Sequence, residues 1–213
     1  MKSSTRIVIA VFLVLFGFAG SARASEEDVL KETVSRNMDQ LVATFESRKG
    51  LYNTDPDKFY VLMEEALEPF VDFERIAMRV MGRYRREATP DQIRRFTEVF
   101  KRSLFEAYGK ALVDSGKFSL KVRRVVIDPR RSTRASVMVD IQSASGNVYP
   151  VIYSMHQDAQ GIWKMENVIV NGVNVGLAFK ERFEQAYQQA GGNLDKVIAE
   201  WKADVEIKTD KAA

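Results

Sequence analysis

The stretch from Ile162 to Tyr187, IWKMENVIVNGVNVGLAFKERFEQAY, decides the fold class because it joins a strand pattern to a helix pattern. Apolar and polar residues alternate from Trp163 to Glu166, which is typical of a strand with one buried face. Beyond Gly176, large apolar residues recur at helical spacing as far as Gly191-Gly192. Between the two patterns, Asn171-Gly172 fits either a glycine-containing elbow into the helix or the turn of a type I′ hairpin.

Helix patterns dominate the sequence before this stretch. Four of them begin at residues that commonly cap a helix N-terminus, namely Ser25, Asp55, Asp72 and Thr89. The last is the strongest, because Thr89 is followed by Pro90 and by a glutamine at the third helical position. Each pattern carries one apolar stripe, so the first half of the chain is predicted to be a set of helices packed on a common core.

Strand patterns precede and enter the opening stretch. They cover Phe118–Asp128, Arg134–Gln142 and the segment with Tyr149 and Met155 on its apolar face, and short turns separate them. Four consecutive strands with short turns predict an antiparallel meander. A last helix is expected from Asn193, with an apolar face of Leu194, Val197, Ile198, Trp201 and Val205. The predicted fold class is α+β, with a helical N-terminal half and C-terminal helices packed on a curved four-stranded antiparallel sheet.

The N-terminus has the pattern of a secretory signal peptide. Lys2 and Arg6 precede the apolar run Ile7 to Ala19, and Ser21-Ala22-Arg23-Ala24 supplies a small-residue cleavage site. We expect residues 1–24 to be removed and residues 25–213 to form a single domain. The predicted signal contains three of the 32 Lys and Arg residues and none of the 29 Asp and Glu residues. The remaining chain is therefore balanced in charge, which argues against nucleic acid as a partner.

Few residues of the kinds used in catalysis are present. His156 is the only histidine and cysteine is absent, which disfavours nucleophilic triads and the usual zinc sites. The periodicity places His156 at a strand end, on the polar side, where we expect it to be solvated. No glycine-rich phosphate loop of the P-loop type occurs. The sequence therefore predicts no enzyme activity, no cofactor and no metal site.

Two clusters of arginine permit two interpretations. They are solvated faces paired with the many carboxylates, or they bind phosphate headgroups or an acidic docking partner. The first cluster comprises Arg75, Arg79, Arg83, Arg85, Arg86, Arg94 and Arg95, and the second comprises Arg123, Arg124, Arg130, Arg131 and Arg134.

Two segments resemble the MlaC (toluene-tolerance) family of periplasmic phospholipid-binding proteins. They are MGRYRREATPDQIRRFTEVFKRSLFEAYGKAL, preceded by VDFERIA, and WKMENVIVNGVNVGLAFKERF. The order and spacing of these blocks match the family over nearly all of the chain after residue 24. Asn167, Asn174 and Lys180 depart from the Asp, Ser and Arg that are usual there, which puts in doubt any polar contact specific to that region. The resemblance also favours the elbow over the hairpin.

The resemblance implies a periplasmic carrier with an apolar cavity between the sheet and its helices. Such carriers move phospholipid between an outer-membrane lipoprotein–porin complex and an inner-membrane ABC transporter with an MCE-type subunit, and so maintain the lipid asymmetry of the outer membrane. Combined with the strand and helix faces, it predicts a set of residues that contact acyl chains. They are Phe73, Val80, Phe96, Phe100, Leu104, Tyr108, Val137, Val139, Ile141, Val151, Tyr153, Met155, Trp163 and Met165.

Two other functions fit the sequence. An α+β enzyme acting on an apolar substrate would need an ionisable group inside the cavity, for which Tyr84, Tyr108 and Tyr153 are the candidates. A structural module whose apolar stripes form a solid core would bind no ligand at all.

Overall fold

The computed structural model describes residues 25–204, so the predicted signal peptide and Val205 lie outside the described residues. Helices and strands follow one another as the α+β prediction requires. The helices are α1 (Glu26–Arg48), α2 (Leu51–Thr54), α3 (Pro56–Leu67), α4 (Phe73–Met81), α5 (Pro90–Asp114), α6 (Val175–Gln189) and α7 (Leu194–Glu200), with a 3-10 turn at Gly82–Arg86. The strands are β1 (Phe118–Asp128), β2 (Arg131–Ser143), β3 (Val148–Gln157), β4 (Trp163–Val170) and β5 (Val173–Asn174).

The predicted caps start the longer helices of the first half. The hydroxyl of Thr89 accepts from the backbone N–H of Gln92, and the Gln92 side chain accepts from the backbone N–H of Thr89. Ser25 forms the same reciprocal box with Asp28. Asp72 caps α4 through the N–H of Arg75 at 2.9 Å. These caps satisfy N–H groups that have no partner within the helix, which explains why the helices begin where the sequence predicts.

The sheet is an open antiparallel meander in the order β1-β2-β3-β4-β5. It has five strands among the described residues, one more than predicted, because Asn171-Gly172 turns the chain back on itself. Both residues have positive φ, 49° and 82°, as a type I′ turn requires. Val173 then pairs with Val170, and α6 starts two residues later. The preference for an elbow over a hairpin was therefore wrong, since a short hairpin leads into the predicted helix.

The two edges of the sheet differ. Beside β4, the segment Phe70–Asp72 adds backbone hydrogen bonds to Met165, from its N–H to Phe70 and from the Asp72 N–H to its carbonyl. At the other edge, β1 pairs with β2 alone among the described strands, and its N–H at Ile127 donates to the carboxylate of Glu27 in α1 at 3.0 Å. A register shift between Val122 and Arg124 interrupts the regular pairing of β1.

Three apolar clusters form the interior of the described chain. The α6 cluster joins α4, α5, α6 and α7, and its buried residues include Val80, Phe96, Phe100, Phe179, Phe183 and Trp201. The α1 cluster joins α1 to the sheet, and its buried residues include Leu30, Val34, Met38, Val122, Val137, Val139 and Met155. The α3 cluster is smaller, with Phe45, Phe59 and Met63. Burial on this scale is the main stabilising contribution to the fold.

The last helix is shorter than predicted. It ends at Glu200, and Trp201 follows in an extended conformation with its indole inside the α6 cluster. The indole N–H donates to the hydroxyl of Ser103 in α5 at 3.1 Å. Trp201 keeps the burial expected of it but reaches the core from outside the helix. No helix within residues 25–204 is long and apolar enough to cross a membrane.

Candidate functional site: an apolar seam and a basic pocket

The inner face of the sheet is divided between two clusters, and the boundary between them is the first feature of the candidate site. Tyr153 in β3 and Val168 in β4 are direct cross-strand partners, so their side chains project from the same face. Tyr153 packs with the α1 cluster, whereas Val168 packs with the α6 cluster. Ile76 in α4 packs against both. We call the boundary that these three residues define the seam.

The seam retains accessible surface although it lies in the interior. Tyr153, Val168 and Ile76 are all half-buried, in contrast to Val137, which is 0% exposed on the neighbouring strand. Burial raises the pKa of Tyr153 to about 12, because a phenolate would lose hydration among so many protein atoms. The three side chains of the seam therefore keep some accessible surface beside fully buried neighbours.

The hydroxyl of Tyr153 also keeps some accessible surface. It has no hydrogen-bond partner among residues 25–204, and its ring contacts Phe70 edge-on at 5.8 Å. Within that range, the only fully buried side-chain nitrogen or oxygen without a partner is Oε1 of Glu46. The Tyr153 hydroxyl must therefore open onto accessible space. In an apolar surrounding, such a group is a donor available to a ligand.

A pocket of about 560 Å³ is the second feature. It lies where the end of α4, the 3-10 turn, β4 and the start of α6 meet, and Ile76 of the seam forms part of its wall. Val80 and Leu177 add apolar surface. We call it the basic pocket, because five cationic side chains line it, namely Arg79, Arg83, Arg85, Arg86 and Lys180.

Glu166 is the one carboxylate in the wall of this pocket, and it is 5% exposed. It accepts hydrogen bonds from Arg75, Arg79 and Arg134, with a distance of 3.0 Å from Arg79. Burial by itself would raise the pKa of Glu166, but the hydrogen bond from Arg75 and the charges of the three arginines outweigh it and lower that pKa. The local alternation assigns Glu166 to a solvated face, and the structure corrects that assignment.

His156 is also buried, which contradicts the prediction that it is solvated. It is 4% exposed, and its Nε2 lies 2.8 Å from Oδ2 of Asp72, the residue that caps α4. Its Nδ1 lies 3.0 Å from the carbonyl oxygen of Gln157. The reason is the Phe70–Asp72 segment beside β4, which brings Asp72 to the imidazole from 84 residues away in sequence. His156 thus ties α4 to the sheet.

Most members of the two arginine clusters pair with carboxylates, as the first interpretation expected. Arg94 and Arg95 pair with Asp91, Arg95 also pairs with Asp195, and Arg131 pairs with Asp128. Three cations of the basic pocket differ. In the described part of the chain, no carboxylate lies within 4.0 Å of the charged groups of Arg85, Arg86 or Lys180.

The residues predicted to contact acyl chains fall into separate places. Phe73, Val137, Val139, Tyr153, Met155, Trp163 and Met165 belong to the α1 cluster or pack against it, whereas Val80, Phe96, Phe100, Leu104 and Tyr108 belong to the α6 cluster or pack against it. Ile141 and Val151 also lie on the inner face of the sheet. Val151 pairs with Val139, and Ile141 follows Val139 by two residues in β2. Tyr153 lies at the seam and Val80 lines the basic pocket. Periodicity did not single out Ile76 or Val168, because no local pattern tells which cluster a core residue joins.

No three His, Cys, Asp or Glu side chains between residues 25 and 204 come together in a way that could hold a metal ion. The seam and the basic pocket together offer apolar surface beside positive charge. That combination suits an amphiphile with an anionic group.

The comparisons with known proteins agree with the resemblance seen in the sequence. The sequence model described as MlaC protein matches residues 35–203. The toluene tolerance protein Ttg2D of Pseudomonas putida is 36% identical over 217 residues, an alignment that covers 100% of this chain and 96% of that protein.

A solved structure has the same fold. The phospholipid-binding protein from Ralstonia solanacearum, determined in complex with a phospholipid, matches with a TM-score of 0.70. It is 22% identical, and the match covers 79% of this chain and 92% of that chain. With the family match over most of its length and a full-length relative above 30% identity, this chain belongs to the MlaC family.

Proposed function

We propose that this protein is a periplasmic phospholipid carrier that takes acyl chains into the seam. The observation that carries the proposal is Tyr153, which is deep in the sheet, half-buried and without a hydrogen-bond partner among the described residues. A well-packed core closes over such a position. The relative from Ralstonia solanacearum, whose structure contains a phospholipid, supports the proposal.

The physical need for such a carrier follows from the hydrophobic effect. A lipid with two sixteen-carbon chains exposes about thirty methylene groups, and each costs about 0.8 kcal/mol in water. The total, on the order of 20 kcal/mol, makes free transit of a monomer prohibitive. In an apolar site inside the protein, the acyl chains have nearly the same free energy as in the bilayer, so loading and release can both proceed.

Shuttling belongs to the same proposal. The protein carries phospholipid between an outer-membrane lipoprotein–porin complex and an inner-membrane ABC transporter, and it is exported by a signal peptide at residues 1–24. The family resemblance supports this assignment. Because the sequence has no nucleotide-binding loop of the P-loop type, the direction of transport has to come from the partners.

The chemistry of the seam favours a carrier over an enzyme. Of the three tyrosines named as candidates, Tyr84 stacks on Tyr187 with ring centroids 4.0 Å apart and lies within hydrogen-bond distance of Glu184. Tyr153 has a pKa of about 12, so its phenol stays protonated near neutral pH and is poorly suited to act as a base.

Organic extraction of the purified protein, followed by mass spectrometry, tests the proposal. A carrier copurifies with phospholipid in a stoichiometric amount, and the lipid survives gel filtration. Protein that yields no phospholipid, and that takes up none from vesicles, would show that the interior is an ordinary core.

A further inference from the structure

We infer that the basic pocket binds the phosphate group of the carried phospholipid, through Arg85, Arg86 and Lys180. This inference rests on the proposed function, because the basic pocket would bind the polar part of a lipid whose acyl chains lie in the seam. The ligand chemistry it requires is a phosphodiester attached to acyl chains.

The charges in the pocket favour an anionic ligand. Arg79 forms an ion pair with Glu166 at 3.0 Å, and Arg83 forms one with Glu184 at 2.7 Å. Within the described residues, the remaining three cations have no carboxylate within ion-pair distance. Like charges that line one concave surface repel each other, and an anion placed among them reduces that repulsion.

A second pocket is also rich in arginine, but each of its arginines has a carboxylate within ion-pair distance. It has a volume of about 420 Å³ and lies on the other side of Glu166, lined by Arg79, Arg131 and Arg134. There, every cation has a carboxylate, because Arg131 pairs with Asp128 at 2.9 Å and the other two pair with Glu166. An abundance of arginine is therefore common to both pockets, whereas unpaired charge is a property of the basic pocket.

The position of Lys180 also favours the binding of an anion. Gly82 ends α4 with a φ of 57°, a conformation that glycine adopts without strain. A Cβ on Gly82 would lie 3.0 Å from Cε of Lys180, so the aliphatic part of the lysine rests on the glycine backbone. This contact directs the side chain along the pocket wall and restricts its freedom. A charge held in place in this way binds an anion at a smaller entropic cost than a freely moving lysine.

Apolar surface connects the basic pocket with the seam. Ile76 forms part of the pocket wall and also packs against both clusters that border the seam. Leu177, which is 49% exposed, lies on the same wall. A phosphate in the pocket would therefore have apolar surface beside it that leads toward Tyr153. Free phosphate would use the cations but leave that surface unoccupied, which is why a lipid is the better match.

The test uses the full-length mature protein after removal of lipid, with dihexanoyl phosphatidylglycerol and the uncharged dihexanoylglycerol as probes in titration calorimetry. The variant Arg85→Gln/Arg86→Gln/Lys180→Gln should bind the phosphate-bearing probe roughly tenfold more weakly and the uncharged probe unchanged. The matched control Lys121→Gln/Arg124→Gln/Arg130→Gln, which alters three exposed cations elsewhere, should bind both probes like the unaltered protein. Raising the salt concentration should weaken binding of the charged probe to the unaltered protein and not to the first variant.

Several outcomes overturn the inference while leaving the proposed function intact. One is a first variant that binds the charged probe like the unaltered protein, although the unaltered protein still copurifies with phospholipid. Another is inorganic phosphate binding as tightly as the lipid probe, which would identify a site for free phosphate. A third is unchanged lipid affinity with slower transfer to a partner protein, which would identify a docking surface. If the unaltered protein binds neither lipid probe and carries no lipid, the proposed function itself fails.

Discussion

Tyr153 lies at the centre of the sheet, where burial without a hydrogen bond raises its pKa from 10.0 to about 12. Unfolding returns the phenol to its ordinary pKa, so the unfolded chain releases the proton first as the pH rises. The stability that this difference represents is complete below about pH 10 and is lost as the pH rises toward 12.

The first prediction compares the protein with the Tyr153→Phe variant at high pH. At pH 11, the tyrosine should reduce the free energy of unfolding by about 1 kcal/mol relative to its contribution at pH 9. Urea unfolding of both proteins at both pH values measures this, and the difference between the two proteins removes the effect of other titrating groups. An identical pH dependence in the two proteins would show that Tyr153 is hydrated.

The second prediction concerns Glu166, whose carboxylate holds three arginines together. Glu166→Gln leaves those charges without a counterion, and we expect it to reduce the free energy of unfolding by about 2 kcal/mol. Because the folded pKa of Glu166 is lowered, the contribution of the carboxylate is complete above its ordinary value of 4.5 and is lost as the pH falls through the folded value. The variant should therefore differ from the unaltered protein at pH 7 and approach it in acid.

The exposed pair of Arg83 with Glu184 supplies the control for this measurement. Glu184→Gln should change the free energy of unfolding by less than about 1 kcal/mol, since solvent screens an exposed pair. Equal effects of the two substitutions would contradict the special role given to Glu166.

Sequence patterns could not predict the surroundings of Glu166 or His156. Alternation along β4 and β3 assigns both residues to the polar side, and locally that assignment is sound. The partners from α4 and the segment before it lie between 84 and 91 positions away in the chain. A register shift between Ser154 and Met155 also changes which residues of β4 lie opposite β3. Contacts of this range depend on tertiary packing, which periodicity does not encode.

At the scale of elements, β4 offers a direct test of the seam. Val168 faces Tyr153 across the strands, whereas the next residue, Ile169, is opposite Ile152 and projects from the other face. Val168→Trp should fill the space at the seam and lower the amount of copurified phospholipid severalfold, with the fold retained. Extraction and mass spectrometry measure the lipid, and circular dichroism checks the fold.

Ile169→Trp is the matched control, since it makes the same change one residue along on the opposite face. It should leave the lipid content unaltered. A Val168→Trp variant with its full complement of lipid would show that the chains are held elsewhere.

The long elements were predictable because their signals are local. Capping residues and apolar stripes mark α1, α3, α4 and α5, and alternation marks β1 to β4. The missed elements are short: α2, the 3-10 turn and β5 have four, five and two residues. Such pieces carry too few residues for a period to show. The Asn171-Gly172 turn did carry its own hairpin signal, which the preference for an elbow overrode.

At the scale of the molecule, the α+β class followed from helix patterns preceding strand patterns, and the antiparallel order followed from short turns. The division of the interior into an α6 cluster and an α1 cluster did not follow, although the residues of both were identified as apolar. Phe100 and Val139 are both predicted to contact acyl chains, yet they pack in different clusters. The seam exists only because these clusters are separate.

The fourth prediction concerns the whole fold. A lipid that binds only the native state stabilises it, by about 2.7 kcal/mol when its concentration is a hundred times the Kd. For a domain of this size, removal of the lipid should lower the Tm by roughly 5–10 °C. Differential scanning calorimetry before and after extraction measures the change, and re-addition of phospholipid should restore the original Tm. In Val168→Trp, the Tm should be nearly indifferent to lipid, and a full response in that variant would argue against the seam.

The edge strand β1 has a consequence for self-association. A free strand edge is a template on which other chains can add, and β1 presents one over eleven residues. Three features oppose such addition. The carboxylate of Glu27 already accepts the hydrogen bond of the Ile127 N–H, and the register shift after Val122 interrupts the regular edge. Exposed positive charge also lies along the strand, at Lys121, Arg123 and Arg124. A second molecule approaching edge to edge would meet the same charges on its own β1. These features protect the strand against fibril-like stacking.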